Sequence, residues 1–219
     1  YHWSHLELKK FFGVEETLSE KTADIIWKKC NKAIKENKLT AKKLIDMANV
    51  VYIGTTDDPI DDLRYHKEIK EDNNFKCSVN PSFRPERAMK IQNKGFKEYI
   101  NKLSEVSKIE IKSFSDYFYD NGCMITDHSL ERVIFYNYSC EEINKIFTKA
   151  LNDEYVTNEE ASKYSSALLI ALGKMYSERK MIMQLHIGAL RNNNTRMFNR
   201  VGADAGFDSI DDGEIAYSL

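Results

Sequence analysis

Residues 181–188 read Met181-Ile182-Met183-Gln184-Leu185-His186-Ile187-Gly188, a short apolar run at 181–185 that leads into a turn at 186–188. A short apolar run bounded by turn residues predicts a buried strand. The same order of a short strand and a polar turn occurs earlier, with strands predicted at 50–54, 75–79 and 122–125 and turns at 55–59, 80–85 and 126–128. Apolar residues at helical spacing lie between them, as at 141–151 and 159–176. Strands that alternate with helices predict βα units and a parallel sheet.

Ionisable side chains gather where these strands are predicted to end. The set comprises Asp57, Asp58, Arg84, Asp127, His128, His186 and Arg191. Because the carboxyl ends of parallel strands share one face of a sheet or barrel, this placement predicts a ligand site there. For any single residue the alternative is an ordinary polar loop, but four strand ends that each carry such groups favour a site.

The number of strands limits the fold. Four strands are predicted, whereas a complete (β/α)8 barrel takes about 250 residues. We therefore expect an α/β fold: a partial (β/α)8 TIM barrel with about four parallel strands and an added helical region. The helical region is predicted at 1–48 and the partial barrel at 49–219. The chain opens at Tyr1 without an initiator Met and stops at Leu219 without a helix-ending signal, so we expect a piece of a longer protein.

Composition excludes several classes of function. The 219 residues contain 32 Lys and Arg against 34 Asp and Glu, so the net charge of -2 gives no reason to expect a nucleic acid partner. No apolar run approaches the roughly 20 residues that cross a bilayer, so no membrane partner is expected. Four scattered cysteines suit a reducing compartment, and we expect a cytoplasmic protein. Phosphate-binding glycine motifs are absent from the sequence.

The residues at the strand ends suggest metal and anion binding. His128 and His186 are candidate metal ligands, although two histidines make an incomplete site; alternatively, His128 caps a helix and His186 is buried against a loop. Arg84 lies between two prolines that stiffen its turn, and a guanidinium fork suits a carboxylate. The run 192–194 is three asparagines, which suit a polyhydroxylated ligand or, alternatively, form Asx-turns.

Several longer blocks resemble one known family. They are Trp3-Ser4-His5-Leu6-Glu7-Leu8, Gly54-Thr55-Thr56-Asp57-Asp58-Pro59-Ile60-Asp61, Phe83-Arg84-Pro85-Glu86, Thr126-Asp127-His128, Gln184-Leu185-His186-Ile187-Gly188-Ala189-Leu190-Arg191-Asn192-Asn193-Asn194 and Gly206-Phe207-Asp208-Ser209-Ile210. In this order they resemble the uronate (glucuronate) isomerase family of the amidohydrolase superfamily. The eleven-residue block around a central His and Arg is the most specific of them. The resemblance covers the middle portion of the family's sequence.

The resemblance implies an activity and a set of roles. Family members convert D-glucuronate to D-fructuronate and D-galacturonate to D-tagaturonate, an aldose–ketose isomerisation in which a proton moves through an enediol. By this resemblance His186 and Arg191 are expected to be catalytic, with His186 also close to a divalent metal, zinc or manganese. The expected contacts to a hexuronate substrate come from Arg84, Asn192, Asn193, Asp58 and His128.

The sequence also departs from the family pattern. It lacks the H-x-H that opens the superfamily's barrels and the late strand whose Asp binds the metal, and its stretch 108–121 looks shorter than the family's. We therefore expect most of the metal site to be missing and the chain to be inactive alone. Unpaired strand edges also make self-association plausible. Two other functions stay open: a non-catalytic β/α fragment or scaffold, and a metal-dependent hydrolase of the same superfamily.

Overall fold

A computed structural model of the chain describes residues 1–109, 114–211, 213, 215 and 218–219. The helices in these residues are α1 His2–Phe12, α2 Ala23–Glu36, α3 Ala41–Met47, α4 Arg64–Glu71, α5 Glu86–Met89, α6 Phe96–Ile109, α7 Phe114–Asp120, α8 Cys140–Leu151, α9 Asn158–Glu178 and α10 Thr195–Val201. The strands are β1 Tyr52–Gly54, β2 Ser78–Asn80, β3 Ser82–Phe83, β4 Ile125–Leu130, β5 Ile182–Ile187, β6 Ala189–Leu190 and β7 Ser209–Ile210. Part of the stretch 108–121, expected to be shorter than in the family, lies outside the described residues.

A parallel sheet with the strand order β3-β4-β5 is the centre of the fold. Its longest ladder joins β4 to β5, from Ile125 opposite Ile182 to Leu130 opposite Ile187. Asp57 forms a parallel bridge with Phe83, so the segment that follows β1 runs alongside β3. β1 pairs with β2, and β6 pairs with β7 in an antiparallel hairpin.

The alternation of strands and helices confirms the predicted α/β class with parallel strands. The details differ at three strands. β3 lies within 80–85, a predicted turn; β4 continues through the predicted turn 126–128, and β5 continues through 186 and 187 of the predicted turn 186–188. The reason is pairing: each segment gains backbone partners from its neighbour in the sheet, and these outweigh the turn propensity of its own residues.

Contacts divide the chain into two units. The first comprises 1–53 and 65–79 and contains the helices α1 to α4. The second comprises 54–64 and 80–219 and contains the parallel sheet with α5 to α10. The second unit therefore contains every strand-end residue named above, from Asp57 to Arg191.

Two apolar clusters form the core of the second unit. One packs helix side chains against the sheet and consists of Leu63, Phe83, Phe118, Cys123, Leu172, Tyr176 and Met181. The other lies among α6, α8 and α9 and consists of Ile91, Phe96, Ile146, Ala150, Val156 and Tyr164. Within the described part of the chain, no helix is both long enough and apolar enough to cross a bilayer.

The two long helices beside the sheet begin at strong sequence signals. Ser139 caps α8 and Thr157 caps α9, and in both cases a Glu three residues later completes a capping box. Each capping box satisfies backbone N–H groups that have no partner within the helix. The caps therefore fix where α9 starts, and α9 places Leu172 and Tyr176 in the core cluster under the sheet.

Candidate active site

The alternation of side chains along β4 and β5 decides which residues can meet. Asp127 is the register partner of Gln184, and Ser129 is the partner of His186, so these four side chains share one face of the sheet. This face is open on β5, where the His186 side chain is 47% exposed. Ile182 lies on the same face and is 63% exposed.

Asp127 joins two of the predicted site residues. Its Oδ2 lies 3.1 Å from Nη1 of Arg84, directly after β3, and its Oδ1 lies 3.2 Å from Nδ1 of His186 on β5. No donor among the described residues is directed at Oδ1 within hydrogen-bond geometry, although the atom is buried. The other ring nitrogen of His186, Nε2, is 2.7 Å from Nε2 of Gln184. One carboxylate thus links the cationic group of β3 to the imidazole of β5.

A second carboxylate holds Arg84 from the other side. Nε of Arg84 donates to Oε1 of Glu86 at 2.6 Å, and the backbone N–H of Ser129 donates to the same oxygen at 2.6 Å. Glu86 therefore ties Arg84 to the backbone of β4. Among the described residues, Nη2 of Arg84 has no hydrogen-bond partner.

The structure places His128 away from this face. As the neighbour of Asp127 along β4 it points to the opposite side, where its ring lies 5.6 Å from that of Tyr176 and is fully buried. Burial lowers the pKa of His128 to about 4, although the negative charges of Asp127 and Glu86 act in the opposite direction. Neither ring nitrogen has a hydrogen-bond partner in the described structure. His128 is therefore a neutral core imidazole and is not brought together with His186.

Asp58 contacts protein groups that already use its oxygens. Its Oδ1 accepts a 2.9 Å hydrogen bond from the Tyr99 hydroxyl and a 3.1 Å bond from the backbone N–H of Ile60. Its Oδ2 lies 3.7 Å from Arg87, whose guanidinium stacks on the Tyr99 ring. Burial, followed by the charge of Asp58, raises the pKa of Tyr99. These contacts tie the loop after β1 to α5 and α6.

Arg191, Asn192 and Asn193 form a loop that is pinned by the β7 segment. Nη1 of Arg191 and the backbone N–H of Asn192 both donate to Asp208 at 2.8 Å, and Asn193 donates to the Ser209 hydroxyl. The hydrogen bond from the Asn192 backbone, helped by Arg191, lowers the pKa of Asp208. The single carboxylate of Asp208 contacts Arg191, whereas two carboxylates contact Arg84.

An open groove of about 540 Å³ lies next to parts of both groups of residues. Glu86, Ser129 and Arg191 line it, whereas Arg84, Asp127, His186, Asn192 and Asn193 are not among its lining residues. Lys90, Gln92, Asn93 and Asn158 add polar groups to its walls. A groove with cations, amides and hydroxyls suits a small polyhydroxylated anion.

The side chains on this face of the sheet are of types that bind metal ions, but there are too few of them for a complete site. His186 and the buried Oδ1 of Asp127 are an imidazole and a carboxylate, which zinc and manganese accept. A zinc site needs three or four protein ligands. Across the described residues, no group of three or more His, Cys, Asp or Glu side chains is placed to hold a metal ion. The described residues by themselves therefore do not form a complete metal site.

Two residues of this cluster were missing from the predicted site residues. Asp127 is among the predicted strand-end residues, but it was not predicted to be a site residue, whereas its neighbour His128 was. The signal available was strand alternation, which places only one of the two on the face of His186. Glu86 lies two residues after Arg84. Nothing in the sequence indicates that its carboxylate accepts hydrogen bonds from both Arg84 and the backbone of Ser129.

Comparisons with known proteins identify the family to which the chain is similar. A family model described as glucuronate isomerase matches residues 1–219. A uronate isomerase of Clostridium perfringens is 80% identical over the whole chain, which spans 49% of that protein; one of Caldicellulosiruptor saccharolyticus is 47% identical with the same coverage. The chain therefore spans about half the length of the curated relatives that it matches.

Solved structures give the same result. A crystal structure of uronate isomerase from Thermotoga maritima superposes on this chain with a TM-score of 0.89 at 31% identity. The match covers 100% of this chain and 50% of the Thermotoga chain. A glucuronate isomerase from Caulobacter crescentus, at 24% identity and a TM-score of 0.85, shares the fold. The match of the family model over the whole chain shows that the chain belongs to the glucuronate isomerase family.

Proposed function

We propose that the chain forms part of an enzyme that isomerises hexuronates between aldose and ketose forms, D-glucuronate to D-fructuronate and D-galacturonate to D-tagaturonate. The observation that supports this proposal most is the cluster in which Asp127 joins Arg84 to His186 beside the groove. The cluster combines a candidate base, a carboxylate that orients it and a fixed cation, which are the groups that this reaction needs.

The reaction moves one proton from C2 to C1 of the sugar. A base removes the C2 proton while the C1 carbonyl oxygen gains a proton, which gives an enediol; loss of the O2 proton and protonation of C1 then give the ketose. We propose His186 for the proton transfer, with the carboxylate of Asp127 3.2 Å from its Nδ1 to stabilise the protonated ring. Arg191 stabilises the developing negative charge on oxygen.

Substrate binding is the proposed role of the other groups. Nη2 of Arg84 binds the substrate carboxylate, and the amides of Asn192 and Asn193 bind the sugar hydroxyls. Asp58 and His128 act indirectly in this proposal. Asp58 fixes the loop after β1 through Tyr99, and His128 supports β4 from the core side, opposite Asp127.

We further propose that the full-length protein uses a divalent cation, zinc or manganese, that is bound close to His186. Its ligands come mainly from outside the described residues. Such a cation polarises the substrate oxygens when bound. Its positive charge also suits a cluster in which Asp127 and Glu86 outnumber Arg84.

The parallel sheet fits part of a (β/α)8 barrel, and we propose that residues 49–219 supply its middle strands while 1–48 form the added helical region. The exposed apolar side chain of Ile182, on the face that carries His186, supports this proposal. In a complete barrel that face points inward, where branched aliphatic side chains fill the interior.

The test uses a full-length protein, made as a chimera in which this chain replaces the matching segment of the Clostridium perfringens uronate isomerase. We expect the chimera to form ketose from D-glucuronate or D-galacturonate, and Arg84→Ala to lower kcat/KM at least tenfold, mainly through KM. Arg64→Ala, on α4, is the control and should leave the rate unchanged. A chimera that is silent on both uronates while the parental protein turns them over would contradict the proposal.

A further inference from the structure

The carboxylate of Glu86 accepts two short hydrogen bonds on a single oxygen. One oxygen of its carboxylate, Oε1, accepts from Nε of Arg84 and from the backbone N–H of Ser129, both at 2.6 Å. The side chain is only 18% exposed. Two short donors on one ionised oxygen are charge-assisted hydrogen bonds, which are about twice as strong as neutral ones.

The two donors come from different elements of the sheet. Arg84 directly follows β3, and Ser129 lies near the end of β4. Glu86 itself begins α5, so its carboxylate connects the loop after β3 to the neighbouring strand. The connection fixes the guanidinium plane, because Nε is bound by Glu86 while Nη1 faces Asp127 at 3.1 Å. With Nε and Nη1 occupied, Nη2 is the remaining corner of the guanidinium, without a hydrogen-bond partner among the described residues.

The geometry points to Glu86 as the positioning residue that sets the orientation of Arg84 for the bound sugar acid. The expected effect on catalysis rests on the proposed function. The immobilisation of the Arg84 guanidinium, in contrast, can be measured without any turnover of substrate. Arginine loses affinity for a planar anion when its fork is misaligned, because the bidentate arrangement depends on the guanidinium plane. Removing the charge of Glu86 should therefore weaken substrate binding through Arg84.

A double-mutant cycle separates positioning from general structural support. The four full-length proteins are the wild type, Glu86→Gln, Arg84→Lys and the double variant, assayed on D-glucuronate. We expect Glu86→Gln to lower kcat/KM about tenfold, mainly through KM. In the Arg84→Lys background, which has no guanidinium fork to orient, the same change should have less than a twofold effect. Glu98→Gln, an exposed carboxylate on α6, is the matched control and should stay within twofold of wild type.

Two outcomes of the cycle overturn the inference. One is a Glu86→Gln protein whose kcat/KM lies within twofold of wild type. The other is a pair of losses that simply multiply, because independent effects mean that Glu86 does not act through Arg84. Gln keeps an acceptor oxygen for Ser129, so Glu86→Gln avoids the unpaired backbone group that Glu86→Ala would leave.

A second measurement distinguishes failure of this inference from failure of the proposed function. Solvent exchange of the Arg84 Nε–H proton can be followed by NMR, with the resonance assigned by its loss in Arg84→Lys. We expect slow exchange in the wild type and at least tenfold faster exchange in Glu86→Gln. Unchanged exchange overturns the positioning role even if uronates are turned over. If the wild type turns over no uronate, the proposed function fails, and the exchange rate still decides what Glu86 does.

Discussion

At the scale of single residues, His128 and His186 show how strand alternation assigns different roles to similar side chains. Both lie near the carboxyl ends of neighbouring parallel strands. His186 shares a face with Asp127, whereas His128 lies on the other face, buried against Tyr176 without a hydrogen-bond partner in the described structure. A buried neutral imidazole makes folding depend on pH, because the unfolded chain can be protonated where the folded chain resists it.

We expect His128 to lower stability as the pH falls from 6.5 to 4. Its pKa is about 4 in the folded protein against about 6.5 in an unfolded chain, so within this window the unfolded state binds the additional proton. At 1.36 kcal/mol for each pH unit, the loss amounts to at most about 3 kcal/mol. Urea unfolding of the full-length protein at pH 7, 5.5 and 4.5 measures it.

The matched variants are His128→Leu, which removes the buried group, and His2→Gln, which removes an exposed one. Acid pH should destabilise the His128→Leu protein less than the wild type, while His2→Gln should follow the wild type. If the three proteins lose the same free energy of unfolding between pH 7 and 4.5, His128 is not held neutral in the folded state.

Arg191 provides a residue-scale test of the groove. Arg191→Ala removes one charged hydrogen-bonding group from the proposed site, so we expect kcat/KM on uronates to fall by about 1.5–3 kcal/mol of transition-state stabilisation, roughly 10- to 150-fold. Arg196→Ala, an exposed arginine at the start of α10, is the control and should retain full activity. An unchanged kcat/KM for Arg191→Ala would remove this side chain from the site.

At the scale of elements, the long helices could be predicted, whereas the two-residue strands β3, β6 and β7 could not. α8 and α9 have the 3.6-residue apolar period and begin at capping residues, and both signals are local in sequence. β3 has only two residues and exists because β4 pairs with it, so no local pattern announces it. The positions of Asp127 and Glu86 in the site likewise could not be predicted from local sequence. Their contacts follow from register and from side-chain rotamers, which depend on the assembled sheet.

The cap of α9 carries a prediction about stability. Thr157→Ala removes the hydroxyl that accepts from the backbone N–H of Glu160, so we expect the free energy of unfolding to fall by about 1 kcal/mol. Thr148→Ala, at an exposed position inside α8, is the control and should be neutral or slightly stabilising, because Ala has the higher helix propensity. Thermal unfolding monitored by circular dichroism compares the two. Equal melting temperatures for Thr157→Ala and wild type would mean that the cap contributes no net stability.

At the scale of the whole molecule, the sheet is open on the side of β5. β5 ends the strand order of the parallel sheet, and in the described structure no further strand pairs with its outer edge. Its exposed face combines the catalytic candidate His186 with Ile182, an aliphatic side chain with most of its surface in water. An unpaired edge beside an apolar face is a surface that another chain can cover.

We therefore expect the 219-residue chain alone to self-associate and to turn over no uronate. Both expectations follow from the described residues, among which the outer edge of β5 has no partner strand and no group of three or more His, Cys, Asp or Glu side chains is placed to hold a metal ion. Sedimentation velocity at several concentrations measures the first expectation. Ile182→Lys places a charge on the open face and should shift the distribution toward monomer. Val51→Lys, at a position that is even more exposed but lies in the other unit, should not. A chain that sediments as a monomer at about 100 µM would mean that the open face is stable in water, and turnover by that monomer would mean that the described residues already contain a working site.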